Sequence, residues 1–175
     1  MTDPVWAAID GRRAIRSFED RPLEPEHLKR ILHAGRRSGS SKNRQRWDFI
    51  VCRDRDHLQA LTVVGDFAKH LAGAAVAIAL ITPDPGGPDA HESIRFDLGL
   101  AAQNMMLAAW ELGIGSAPAT VYDFEAARRL LGYPEDHTCE YLLSFGYPAD
   151  PTELTRPKKA GMRRPLAEMV HEERW

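Results

Sequence analysis

Cysteine is scarce in this sequence, with two residues in 175, Cys52 and Cys139, each inside an apolar, strand-like run and without CxxC spacing. Such thiols suit a reducing compartment and read as small buried side chains, not as a disulfide or a reactive pair. No charge of one sign dominates either. A net charge of -2 offers no general basic field for nucleic acid or an anionic membrane surface. Long apolar runs are missing: the longest, Ala72 to Ile81, is about half of a membrane span. The opening Met-Thr-Asp-Pro-Val-Trp has neither the basic start nor the apolar core of a signal peptide. The expectation is a cytoplasmic protein with no nucleic-acid or membrane partner.

Several chemical signatures are absent as well. His91-Glu92 and His171-Glu172-Glu173 lack the second histidine of HExxH, so no metal site is expected. Gly39-Ser40-Ser41 is followed by Lys42 where a nucleophile elbow would need glycine. Gly113-Ile114-Gly115 follows a helix instead of a strand, which argues against a Rossmann dinucleotide site. There is no internal repeat, no heptad pattern and no dividing linker, so residues 1–175 read as one domain. At 43% apolar and 27% charged, the chain can bury a core without staples.

What is present is organised around one stretch. Asp97 to Trp110 is the middle of a helix expected from about His91 to Leu112, roughly 33 Å long at the usual rise. Apolar residues fall on all its sides, so it belongs inside a core or against a partner. Before it come a short helix Pro4 to Asp10, capped by Asp3 and stopped by Gly11, and a second opened by Glu24-Pro25 with Leu28, Ile31 and Leu32 in helical spacing. Strands are expected at Trp47 to Arg53, Ala74 to Ile81 and Glu140 to Tyr147, and helices at His57 to Val64, Phe67 to Leu71 and Phe124 to Leu131. Thr82 to Ala90, with three prolines and two glycines, is an exposed loop. Gly113-Ile114-Gly115-Ser116 stops the long helix and permits close approach of another group, and Ala117 to Thr120 connects onward. From Ala149 the tail is polar and proline-punctuated, with Lys158, Lys159, Arg163 and Arg164 before a final short helix. Helices and strands mix in one α+β domain.

Three features suit one ligand. Arg12, Arg13 and Arg16 lie within five residues directly after a helix end, a crowding of cations that an anion relieves, and guanidinium groups grip phosphate through paired donors. The loop Arg36 to Trp47 supplies Ser, Asn and Gln side chains, donors and acceptors suited to the edge of a flat heteroaromatic ring. The glycine turn at 113–115 allows close approach. A solvated basic turn and an ordinary surface loop would have similar composition, and composition alone takes the reading no further than a phosphorylated cofactor such as flavin mononucleotide.

The order of the motifs resembles the FMN-dependent nitroreductase family along nearly the whole chain. Arg12-Arg13-Ala14-Ile15-Arg16-Ser17-Phe18 is similar to its RRSxRxF opening, and Ser40-Ser41-Lys42-Asn43-Arg44-Gln45-Arg46-Trp47-Asp48-Phe49 to its SSxNxQPWxF. Asp97-Leu98-Gly99 through Gln103-Asn104-Met105 to Gly115-Ser116, then Gly146-Tyr147-Pro148 and the tail from Arg164-Pro165-Leu166 to Val170, complete it. Each motif alone is loose; five in this order are specific.

The resemblance implies a three-layer α-β-α fold with a mostly antiparallel sheet, an intertwined homodimer with FMN at the subunit interface, and a tail (about 149–175) wrapping on the partner. By the same resemblance Arg12, Arg13, Ala14 and Arg16 would line the phosphate and ribityl chain, and Arg163 would close on the phosphate. Ser40, Ser41, Asn43 and Gln45 would reach the flavin from the other subunit, with Pro118 and Ala119 near its ring. Hydride would pass from NADH or NADPH through flavin N5 to a small-molecule acceptor such as a nitroaromatic or quinone, with no catalytic side chain. The alternatives are flavin binding without turnover, as sensor or store, and another FMN reaction such as reductive dehalogenation or flavin fragmentation. Two departures stand out. Ala14 replaces the usual Ser, removing a hydrogen bond worth about 0.5 to 1.5 kcal/mol, and Arg46 replaces the usual Pro, adding a cation expected to bias the site toward anionic ligands. The chain is also short for the family, so a more open pocket is expected.

Overall fold

The structure, a computed structural model, describes residues 3–157, 161 and 163–175; Lys158 and Lys159 lie outside them. Four strands form one sheet in the order β1-β2-β4-β3, every neighbouring pair antiparallel: β1 (Asp48–Cys52), β2 (Val76–Pro83), β3 (Gly115–Thr120) and β4 (His137–Gly146). Helices cover both faces, as the alternation of the strands requires. Val76, Ile78 and Leu80 of β2 and Leu143 and Phe145 of β4 join a core with α2 (Pro25–Arg36) and α4 (Ser93–Glu111). The intervening residues Ala77, Ala79, Ile81 and Leu142 face a second core. It is built from α3 (Arg55–Ala60), the 3-10 turns Leu61–Val64 and Ala68–Leu71, and α5 (Phe124–Leu131). This is the three-layer α-β-α arrangement that the resemblance implies.

Local signals are realised where the cap chemistry is explicit. The Asp3 carboxylate accepts from the Val5 amide at the start of α1 (Pro4–Gly11), and Asp123 accepts from Ala126 at the start of α5. Gly11 does not stop α1 from outside. It is the last helical residue, and a Cβ there would sit 2.1 Å from the Trp110 ring, so close packing on α4 explains it. Gly113, at φ 72°, does end α4 in the left-handed region. Both cysteines are buried, and burial pushes their thiols up to about 11 for Cys52 and about 12 for Cys139.

Two expectations change. Gly115–Thr120, read as turn and connector, is a full edge strand, paired from Gly115↔Gly146 to Thr120↔Tyr141. Its Gly, Ser, Ala and Pro residues carry little strand preference, and Pro118 is tolerated because an edge has a free side. The apolar ring around α4 is also divided more finely. Ala101 and Met105 are fully buried in their own chain, whereas Phe96 (69% exposed) and Leu100 (40%) face outward. The face available to a partner is therefore the N-terminal, outward one. Among the described residues no helix is long and apolar enough to cross a membrane.

Candidate functional site

The arginine segment lies across one end of the sheet. Ala14 bridges Ser116 in parallel, with the Ile15 amide 3.0 Å from the Ser116 carbonyl, and Phe18 bridges Pro148. Two glycines let it lie flat: a Cβ on Gly115 would come within 2.8 Å of Ile15, and one on Gly146 within 2.8 Å of the Phe18 ring. The close approach expected at Gly115 is thus made by Ile15. With Ile15 buried, its neighbours are turned outward.

The three arginines then divide by role. Arg13 donates to the main-chain carbonyls of Arg156, Gly11 and Asp10, tying the start of the tail to α1. Arg12 and Arg16 have no carboxylate partner among the described residues. Burial, and then the charge of Arg163, hold Arg12 below the ordinary arginine value. Arg163 of the tail therefore stands near Arg12, with Arg16 close in the chain. Arg12 and Arg16, without a carboxylate partner among the described residues, suit an anion.

A histidine that the sequence reading passed over completes this end. His70 Nδ1 is 2.9 Å from Ser144 Oγ, whose hydroxyl donates to the Ala117 carbonyl at 3.2 Å. With the hydroxyl proton so placed, Nδ1 carries the imidazole proton. Nε2 is buried and has no hydrogen-bond partner among the described residues. Burial first, then the charge of Arg16, push His70 below its ordinary value, while the Pro118 backbone acts in the opposite direction. Nothing local in the sequence signals this pairing, because His70 and Ser144 are 74 residues apart. Pro118 is exposed on the edge strand, and Ala119 is buried in the core beneath it.

The polar loop is built differently. Ser40 Oγ accepts from the Gln45 amide at 2.9 Å, the Ser41 amide donates to Asp97 Oδ2 at 2.9 Å, and Gln45 Nε2 donates to Asn43 Oδ1 at 3.1 Å. Lys42, Asn43 and Gln45 all have φ near +50°. Such left-handed residues cost on the order of 1 kcal/mol each, and residues so held gather at binding sites. Arg46 is engaged by the loop that follows β2: its guanidinium donates to the Asp89 carbonyl and lies 3.6 Å from the Asp89 carboxylate.

The two sets of residues do not meet within one chain. The arginine segment is at the C-terminal end of α4, where Gly11 packs on Trp110, and the polar loop is at the N-terminal end, bonded to Asp97. Thirteen residues of helix separate these points, about 20 Å along the axis. Between them, α4 stands off β3 and leaves an open, largely apolar cavity of about 620 Å³ lined by Leu98, Gly99, Ala102, Met106, Pro118 and Leu143 among others.

The donor set at the arginine end fits a phosphate monoester: two unpaired guanidiniums with a third nearby, on backbone pinned by the sheet. The polar loop fits the edge of a planar amide-bearing ring. Comparison with known proteins points the same way. The sequence profile of the nitroreductase family matches residues 9–64 and 65–147. A protein of Archaeoglobus fulgidus, provisionally named an NADH dehydrogenase/NAD(P)H nitroreductase, is 33% identical over 171 residues, covering 95% of this chain and 96% of its own length. Among solved structures, a provisionally named nitroreductase from Desulfovibrio desulfuricans in complex with FMN superposes with a TM-score of 0.81 at 29% identity, covering 100% of this chain and 99% of that one. An FMN-dependent nitroreductase from Clostridium difficile gives 0.83 at 25% identity, with coverage of 97% and 99%.

Proposed function

This chain belongs to the nitroreductase family, and from that premise we propose that it is an FMN-dependent NAD(P)H oxidoreductase working as a homodimer. When bound, FMN would supply hydride chemistry between NADH or NADPH and a nitroaromatic, quinone or similar small acceptor, donor and acceptor using one place in turn. The protein's part is binding, orientation and electrostatics.

The observation that carries this reading is the placement of the two half-sites at opposite ends of α4, about 20 Å apart at the usual helix rise. One chain offers a phosphate grip without a ring edge, and a ring edge without a phosphate grip. A second copy packed antiparallel along α4 brings the Ser40–Gln45 loop of one subunit to the arginines of the other. The outward Phe96 and Leu100 give that contact its apolar surface, which contributes roughly 25 cal/mol per Å² buried, before association costs. The tail fits the same arrangement. Up to Arg156 it stays on its own chain, through Ala149 to Ser17 and Arg156 to Arg13. Beyond that, Leu166, Met169, Val170 and Trp175 are exposed apolar side chains suited to a partner's surface.

In this arrangement Arg12, Arg16 and Arg163 hold the phosphate, while Asn43 and Gln45 orient the ring. No side chain is required to act as nucleophile or acid. The test is direct. The purified protein should be yellow, should lose its flavin absorbance anaerobically on adding NADH or NADPH, and should regain it with menadione or a nitrofuran. Arg16→Ala should elute as a folded but colourless protein; full retention of colour in both Arg12→Ala and Arg16→Ala would remove the phosphate assignment.

A further inference from the structure

The polar loop alternates two kinds of side chain. Asn43 and Gln45, which bond each other, interleave with Lys42, Arg44 and Arg46. The three cations line one narrow cleft with Ser41, His91, Ser93, Ile94 and Asp97 at the N-terminal end of α4. Their charges are not equally compensated. Arg46 is engaged by Asp89. Lys42 and Arg44 are exposed, and their side chains make no ion pair or hydrogen bond among the described residues. The one carboxylate lining the cleft, Asp97, already accepts from the Ser41 amide; Glu92, the N-cap of α4, is exposed, and the first turn itself contains no acidic residue. The positive end of the helix dipole adds to the same field.

The backbone makes this more than a solvated basic loop. Lys42 itself is left-handed at φ 52°, between Asp97 pinning Ser41 and Asp89 pinning Arg46. The backbone that carries the two cations is therefore held immediately beside the residues that would meet the ring edge.

We propose that Lys42 and Arg44 form a recognition edge for an oxyanion carried by the second ligand, at a distance from its reacting ring. This rests on the reading of the neighbouring Asn43 and Gln45 as ring-edge residues. The shared chemistry is a phosphate or carboxylate; its source is either the 2′-phosphate of NADPH or an anionic group on the acceptor.

The experiment uses the FMN-loaded dimer and a Lys42→Ala/Arg44→Ala variant. With menadione as acceptor, the NADPH-to-NADH ratio of kcat/KM is measured. With NADH as donor, 4-nitrobenzoate is compared with neutral 4-nitrobenzyl alcohol. A charged hydrogen-bond pair predicts a fall of at least about tenfold in one of these two ratios. A fall in the first assigns the 2′-phosphate, and a fall in the second assigns the acceptor's anion. Both ratios holding within twofold would overturn the proposal, as would loss of FMN from the variant, which would make the pair a cofactor grip. Calorimetric titration of the oxidised holoprotein with 2′-AMP and with 4-nitrobenzoate decides independently of turnover: tighter binding to the unsubstituted chain than to the variant is expected for one of them, and equal binding of both overturns it. A flavin that neither NADH nor NADPH bleaches would instead remove the oxidoreductase reading, leaving the calorimetry to judge the recognition edge.

Discussion

The two ends of α4 hold their candidate site residues by different means. At the C-terminal end the arginine segment is fixed by main-chain pairing to β3 and by two glycines that admit Ile15 and Phe18. At the N-terminal end the polar loop is fixed by side-chain-to-backbone bonds that hold three residues in the left-handed region. The first is a product of the fold and should fail only with it. The second is a local device under strain, which can relax while the rest of the molecule stands.

The largest effect should come from separating the ends altogether. Leu100→Glu places a charge on the outward face of α4 without touching the core. The expected outcome is a folded monomer, by light scattering, that has lost its FMN; a monomer that still binds FMN tightly would show that one chain carries the whole site. Charge at Ala101 or Met105 would be uninformative, because both are in the chain's own core.

Next in size is the contrast between the ends themselves. Gly115→Ala forces Ile15 away, an overpacking cost of about 1 to 3 kcal/mol, and should lower Tm and FMN affinity together. Asp97→Ala leaves the Ser41 amide without its acceptor, a penalty of about 1 to 3 kcal/mol that is partly offset as Lys42, Asn43 and Gln45 leave the left-handed region. Amide exchange should accelerate over residues 41–45 in that variant, with little change along β3. Equal loss of protection at both ends would erase the distinction.

The smallest effect is one of pH. His70 is held below its ordinary value of 6.5 by burial and by Arg16. Below that pH the unfolded chain takes up a proton that the folded chain refuses, so stability falls as pH is lowered through the window beneath 6.5, down to the folded value. Denaturant titrations across this range should show a slope shallower by up to about one proton in His70→Asn. An anion on Arg16 relieves the repulsion, so FMN should reduce the same slope in the unsubstituted protein.

These differences also mark what could be read from the chain before folding. Asp3-Pro4 and Asp123 announce their helices because a cap is a contact between residues two or three apart. The alternating faces of Val76 to Ile81 are equally local. The arginine cluster was legible as charge, but which arginine would turn inward was not: Arg13 is consumed by the Arg156 carbonyl, 143 residues away. Arg46 looked like a ligand-facing cation until Asp89 was placed beside it. Strand β3 was missed because its small residues are chosen for what lies across them, Ile15 above Gly115, and not for strand preference. His70 gave no signal at all, since its meaning depends on Ser144 and Arg16 arriving from other elements.

Burial of the two cysteines has a chemical consequence for the quinone chemistry proposed above. Quinones are electrophiles that arylate thiolates. Burial pushes the thiols up to about 11 and about 12, so both stay protonated at neutral pH. Neither sulfur is open to solvent. A chain whose only two thiols are protonated and enclosed presents no reactive thiol to an electrophilic acceptor.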